Sequence, residues 1–130
     1  MTALPATGAA LTFSPAAAAS EPDPLVPLYH EWLDARRTCR ALAALPGNED
    51  WDDPRAVAAE ARETAAEKQM LTLKPTSFEG IGALAALAWV FVGPATLDPQ
   101  EFAEQAQSFE CRALMAIWKA CTGQDGYPVT

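Results

Sequence analysis

Few residues in this sequence of 130 suit nucleophilic or metal chemistry: it contains one histidine and three cysteines. His30 precedes Asp34 by four residues, so a helix would place both on one face as two metal ligands or an acid–base pair. No third partner lies near them in the sequence, and a weak, exposed pair between His30 and Asp34 is the simpler interpretation. We therefore predict no catalytic residue and no metal site, and we keep a small enzyme or ligand-binding bundle centred on His30 as the least favoured alternative.

The cysteines do not point to catalysis either. Cys39, Cys111 and Cys121 are widely spaced and include no CxxC pair, a pattern that suits neither a zinc site nor a disulfide framework. Free thiols used as small apolar side chains are typical of a reducing cytosol, so a cytoplasmic location is expected. Phosphate-binding and hydrolase motifs such as GxGxxG, HExxH and GxSxG are also missing. These observations predict a protein that is not an enzyme and has no cofactor.

Acidic side chains outnumber basic ones by 17 to 9, and the formal net charge is −8. An acidic surface repels nucleic acid and anionic lipid, so direct binding to either is not expected. Glu60, Glu63 and Glu67 recur about one helical turn apart, and with Asp52 and Asp53 they form what we call the acidic ridge. Such a row could imitate nucleic-acid phosphates in an inhibitor of a nucleic-acid-binding enzyme or defence complex. A solvated face that keeps the protein soluble is the simpler interpretation.

The elements that position these residues are helices, and the signals that start them are regularly placed. Asp23, Asp53 and Asp98 each precede a proline, and a carboxylate cap followed by proline at the first helical position is typical of a helix start. Thr76, three residues before Glu79, provides a fourth start of the capping-box type. The predicted helices cover residues 24–44, 54–73, 77–92 and 99–122. Because no alternating apolar run indicates a strand, we predict an all-α fold, a small bundle of about four helices.

One domain is expected, since 130 residues suit a single packed core. The bundle is predicted over residues 23–123, with a flexible N-terminal tail at 1–22 and a C-terminal tail at 124–130. The uncharged stretch 80–97 is interrupted at Gly93 and Pro94, which leaves 13 helical residues. At about 1.5 Å per residue they reach roughly 20 Å, too short for an apolar bilayer core about 30 Å thick. No membrane span is predicted.

More apolar surface is available than one small core can hide. The second helix is expected to face inward with small residues, namely Val57, Ala58, Ala61 and Ala65. The third helix is apolar on every side, and the fourth has one stripe comprising Phe102, Ala106, Phe109, Ala113, Ile117 and Ala120. A second apolar face on the fourth helix contains Leu114, Met115 and Trp118, and we predict that this face is an interface. Trp51, in an acidic loop, is predicted to be either a lid on the core or a further interface anchor. We therefore predict that the protein forms a homodimer or an obligate complex with another protein.

Two segments carry a resemblance to other proteins. One runs from Asp23 to Arg36 and the other, Lys-Pro-Thr-Ser-Phe-Glu-Gly-Ile, from Lys74 to Ile81. They resemble small alanine-rich helical proteins of alphaproteobacteria, often found near prophage or mobile genes, in which an Asp-Pro helix with a central tryptophan or histidine precedes a P-T-[TS]-x-x-G helix start. The resemblance covers residues 23–92 and implies a helical hairpin in a bacterial or phage cytosol, without implying an activity. The function expected is a non-enzymatic helical module for protein–protein interaction, and the alternative is the acidic inhibitor.

Overall fold

The computed structural model describes residues 21–47 and 52–129. These ranges form five α-helices and contain no strand: α1 (Leu25–Ala43), α2 (Pro54–Met70), α3 (Phe78–Val92), α4 (Pro99–Gln105) and α5 (Phe109–Thr122). The prediction of an all-α fold is confirmed, but the bundle has five helices rather than about four. The first 20 residues of the predicted N-terminal tail, and Trp51, lie outside the described residues.

The additional helix arises because the predicted fourth helix is divided at Ser108. The backbone of Ser108 is not helical, with φ −57° and ψ 156°. Its hydroxyl accepts a hydrogen bond from the backbone N–H of Cys111 at 3.3 Å, which makes Ser108 the N-cap of α5. Serine competes well for that position because its side chain satisfies a donor that would otherwise lack a partner. The apolar stripe continues across the break and therefore gave no sign of it.

Four of the five helices form two antiparallel pairs. In the first pair, α1 packs against α2, with Arg36 opposite Glu63 and Trp32 opposite Glu67. In the second pair, α3 packs against α5, and the shorter contact between α1 and α3 joins the pairs. The core between the pairs contains two large side chains of α1 and one of α2, which are fully buried: Leu25, Trp32 and Met70.

Asp23 also joins the two pairs, because its buried carboxylate binds the starts of α1 and α3 together. One carboxylate oxygen, Oδ1, accepts a hydrogen bond from the backbone N–H of Leu25 at 2.9 Å. The other oxygen, Oδ2, accepts from the backbone N–H groups of Thr76 and Ser77 at 2.8 and 3.0 Å, and from the Ser77 hydroxyl at 2.9 Å. Asp23, which was predicted to cap the first helix, therefore binds backbone N–H groups at the starts of both α1 and α3.

The described part of the predicted C-terminal tail is packed on the bundle. The ring of Tyr127 stacks on Trp89, with centroids 5.6 Å apart, and meets the edge of Phe102 at 4.8 Å. Pro128 is buried, and Val129 packs against buried residues of both helix pairs. These residues act as a wedge between the pairs, and they belong to the bundle.

Candidate functional site

The face of α5 that was predicted to be an interface lies inside the bundle. Trp118 is 4% exposed and packs with Ala85 and Ala86 of α3, while Leu114 and Met115 are half-buried against the cluster around Trp89. The expectation that this face is exposed is therefore wrong. Burying tryptophan removes more apolar area from water than burying alanine, so the face that carries Trp118 is turned inward.

The opposite stripe of α5, which was expected to form core, is turned to solvent. Phe109 is 85% exposed and Ile117 is 45% exposed, and Ala113 and Ala120 are exposed as well. Only Phe102 and Ala106 of that predicted stripe, which precede α5, pack against buried residues. The two faces of α5 thus exchange the roles that the sequence suggested.

Another exposed apolar surface lies on α3. The helix is not enclosed on all sides: Phe78 is 74% exposed, Phe91 is 69%, Val92 is 47% and Ile81 is 38%. We call these four residues the α3 outer face. Leu84 and Ala88, both half-buried, lie between them at helical spacing. Exposed aromatic and aliphatic side chains that adjoin on one helix face are typical of an interaction surface.

The acidic ridge does not form a row of free carboxylates. Glu63 accepts a hydrogen bond from Arg36 at 2.8 Å, and Glu67 accepts one from the indole N–H of Trp32 at 3.1 Å, so both point toward α1. The ridge therefore borders the contact with α1 rather than lying opposite the inward face of α2. That inward face contains Ala56, Ala59, Ala66 and Met70, and the predicted set is wrong.

At the start of α2, the other two ridge residues have different surroundings. Asp53 caps the helix through the backbone N–H of Arg55 at 2.8 Å and also pairs with its guanidinium at 2.7 Å. The hydrogen bonds from Arg55 hold the pKa of the Asp53 carboxyl below its ordinary value. Asp52 and Glu60 are exposed. Three of the five ridge residues are thus bonded to other residues of the protein. The ridge therefore does not present a continuous row of free carboxylates that could imitate phosphates.

The structure does not bring His30 and Asp34 together as an acid–base pair. Arg62 of α2 bonds Asp34 at 2.8 Å and Glu31 at 2.7 Å, so the carboxylate four residues from His30 serves an ion pair between helices. The hydrogen bond from Arg62 lowers the pKa of Glu31. Within residues 21–47 and 52–129, no three His, Cys, Asp or Glu side chains are grouped closely enough to hold a metal ion.

The three cysteines have different surroundings. Burial raises the pKa of the Cys39 thiol, and the nearby charges of Glu63 and Glu60 raise it further, which disfavours the nucleophilic thiolate. Cys111 is buried, and its thiol lies 3.7 Å from the carbonyl oxygen of Val92. Cys121 is half-buried on α5, and all three thiols are free.

A cavity of about 430 Å³ lies between α1 and the C-terminal wedge, and sequence reasoning did not find it. Three arginines of α1 line the cavity, namely Arg36, Arg37 and Arg40. Arg36 also pairs with Glu63 of the acidic ridge at 2.8 Å. The cavity could not be anticipated because its other wall includes Gln124, Asp125 and residues 127–129, a segment with no helical or strand pattern.

Comparison with known proteins adds no functional lead, because no family model, curated protein or solved structure matches the chain. In the ranges that the structure describes, no helix combines the length and the apolar character needed to cross a bilayer. Geometry alone gives the candidate sites, namely the α3 outer face with its exposed aromatic rings and the cavity beside α1.

Proposed function

We propose that this protein is a non-enzymatic helical module for protein–protein interaction, and that the α3 outer face is its contact surface. The exposure of Phe78 and Phe91, at 74% and 69%, supports the proposal. Outside the α3 outer face, the residues of this helix other than Glu79 are buried or half-buried, so the helix is held rigidly while these rings remain in water. Rigid aromatic side chains on an ordered element are effective interface anchors, because little side-chain entropy is lost when they are covered.

The occupant that fits this surface is a second copy of the chain. With a net charge of −8, two copies that met through their charged faces would place like charges opposite each other. The stretch from Gly80 to Leu97 has no charged residue, so its exposed part lets two copies approach without that repulsion. Glu79, the charged residue next to this stretch, lines the cavity on the α1 side of the helix. A two-fold contact would then cover Phe91 and its neighbours with the same residues of the other copy.

Analytical ultracentrifugation of the full chain from about 1 to 500 µM tests this proposal, with Phe78→Glu and Phe91→Glu as variants. Covering one phenylalanine contributes about 1.5–3 kcal/mol, and each substitution acts twice in a two-fold dimer. Each variant should therefore raise the dimer Kd by about 100-fold or more. Circular dichroism should show unchanged helicity, because both side chains are exposed in the monomer.

Phe109→Glu is the matched control, since Phe109 is 85% exposed on α5 and lies outside the α3 outer face. It should leave the dimer Kd within about twofold of wild type. If Phe109→Glu dissociates the dimer as strongly as Phe91→Glu, the contact surface is misassigned. A wild-type chain that stays monomeric over the whole range contradicts the second copy as occupant.

A further inference from the structure

The cavity beside α1 concentrates positive charge in a chain that is acidic overall. Three of its nine cationic side chains, Arg36, Arg37 and Arg40, line this one space. Among the other arginines, Arg55 pairs with Asp53 at the start of its own helix, and Arg62 pairs with Glu31 and Asp34 of α1. Three guanidinium groups therefore converge on this cavity, and of the three only Arg36 pairs with a carboxylate among the described residues.

The arginines of the cavity are incompletely satisfied by the protein. Arg36 donates from Nη1 to Glu63, but its Nε is buried and has no hydrogen-bond partner in the described part of the chain. Arg37 and Arg40 form no ion pair with any residue in 21–47 or 52–129. Donors of this kind bind carboxylate and phosphate oxygens well, because the planar guanidinium presents paired N–H groups.

Aromatic rings lie beside these donors. Tyr29 lines the cavity and stacks on Trp32, with ring centroids 5.7 Å apart. Trp118 of α5 and Tyr127 of the C-terminal segment also line it. Burial raises the pKa of the Tyr29 hydroxyl, and the charge of Arg37 opposes that rise, which places the ring within electrostatic reach of the guanidinium. A volume of about 430 Å³ falls in the range of small-molecule sites.

The acidic groups of the cavity define how a ligand would be oriented. Glu79 and Asp125 line it, Glu79 from the start of α3 and Asp125 from the C-terminal segment, and His30 lines it from α1. Neither carboxylate pairs with Arg37 or Arg40 among the described residues. An anionic group is therefore attracted toward the arginines of α1 and repelled by the two carboxylates.

We propose that this cavity binds a small organic anion, one whose carboxylate or phosphate group is held by Arg37 and Arg40 and whose flat apolar part packs against Tyr29 and Tyr127. The site is independent of the α3 outer face. The cavity residues do not take part in the proposed contact between two copies of the chain. Their proposed role is to bind a ligand, which they recognise by its acid group.

Titration of the full chain with phenyl phosphate, phenylacetate and inorganic phosphate, followed by ¹H–¹⁵N NMR and calorimetry, tests this site. Phenyl phosphate or phenylacetate should bind and shift the signals of cavity residues, and comparison of the two identifies the acid group preferred. Inorganic phosphate should bind about tenfold more weakly than phenyl phosphate, because it lacks the ring. Binding of inorganic phosphate as tight as that of phenyl phosphate would overturn the aromatic half of the proposal.

Charge substitutions of both signs make the test decisive. The double variant Arg37→Gln with Arg40→Gln should weaken binding at least about tenfold, whereas Asp125→Asn should strengthen it by removing a repulsion. Arg112→Gln, which removes one positive charge from an exposed position of α5 outside the cavity, should change the Kd less than about twofold. No shift with either aromatic probe at about 10 mM, or equal weakening by Arg112→Gln and the double variant, overturns the proposal.

Discussion

Replacing Asp23 by alanine is expected to weaken the joint between the two helix pairs more than loss of an ordinary helix cap would. The carboxylate accepts hydrogen bonds from Leu25, Thr76 and Ser77 over distances of 2.8 to 3.0 Å, and the residue is only 6% exposed. Asp23→Ala leaves four donors without this acceptor, at the starts of both α1 and α3. Two helices therefore lose their alignment through one change.

The magnitude follows from the number of donors and their burial. A hydrogen bond to a charged acceptor contributes about 1.5–3 kcal/mol net, and an exposed N-cap contributes about 1 kcal/mol. Water can replace part of the loss at Thr76, which is exposed, but not at Leu25, which is fully buried. We expect a loss of about 3–5 kcal/mol, a large fraction of the roughly 5–15 kcal/mol that stabilises a domain of this size.

The same carboxylate makes stability depend on pH. Burial raises the pKa of Asp23, but the hydrogen bonds from Leu25, Thr76 and Ser77 outweigh burial and leave the pKa below its ordinary value. Because the pKa is lower in the folded than in the unfolded state, the contribution is fully present above the unfolded value of about 3.9. It is lost as pH falls from there through the folded pKa. Asp23→Ala should remove this part of the acid sensitivity.

Urea unfolding at about pH 7 and about pH 3 measures both effects, and Asp98→Ala is the matched control. Asp98 caps α4 through a single hydrogen bond from Glu101 at 2.8 Å, and it is exposed. The control should cost about 1 kcal/mol. If Asp23→Ala costs no more than Asp98→Ala, or if its stability falls between the two pH values as steeply as that of wild type, the role given to Asp23 is refuted.

Two further substitutions test the packing directly. Gly80→Ala should destabilise the protein in urea unfolding, because the added methyl group would collide with the carboxylate of Asp23. This loss is expected although alanine is the better helix former by about 1 kcal/mol. A stabilised variant would contradict the close approach of Asp23 to Gly80. Trp118→Ala should cost about 3–5 kcal/mol, as expected for a buried tryptophan, whereas Ile117→Ala on the exposed side of α5 should cost less than about 1 kcal/mol in thermal or urea unfolding. Similar costs at Trp118 and Ile117 would mean that the orientation of α5 is wrong.

Local chemistry explains what could be predicted from the sequence. The Asp-Pro pairs at Asp53 and Asp98 start α2 and α4 as expected, because capping depends on residues within one turn. The break at Ser108 was missed because a serine N-cap inside an unbroken apolar stripe has no distinctive spacing. The presence of the helices was thus predictable. The division between α4 and α5 was not, because Ser108 could either continue one long helix or cap a new one.

Which helix face turns inward could not be predicted, since alternative faces have similar composition. On α2, Val57 was expected inside and is 53% exposed, because alanines occur on both sides of that helix and hydropathy does not distinguish them. The bonds from Trp32 and Arg36 to Glu67 and Glu63 turn the other alanines toward α1 instead. These contacts join residues 27 and 35 positions apart, so they are set by tertiary packing rather than by periodicity.

The place where the helix pairs meet connects the stability of the fold to the proposed ligand. Besides the shared core, which includes Met70 of α2 and Leu87 of α3, the pairs are joined by Asp23 and by Val129, which packs against buried residues of both. The cavity lies at this junction, with α1 on one side and Trp118 and Tyr127 on the other. A ligand that fills it contacts both pairs and binds only the folded chain. At a ligand concentration 100 times its Kd, binding then stabilises the folded chain by about 2.7 kcal/mol. This free energy is close to the lower end of the loss expected for Asp23→Ala.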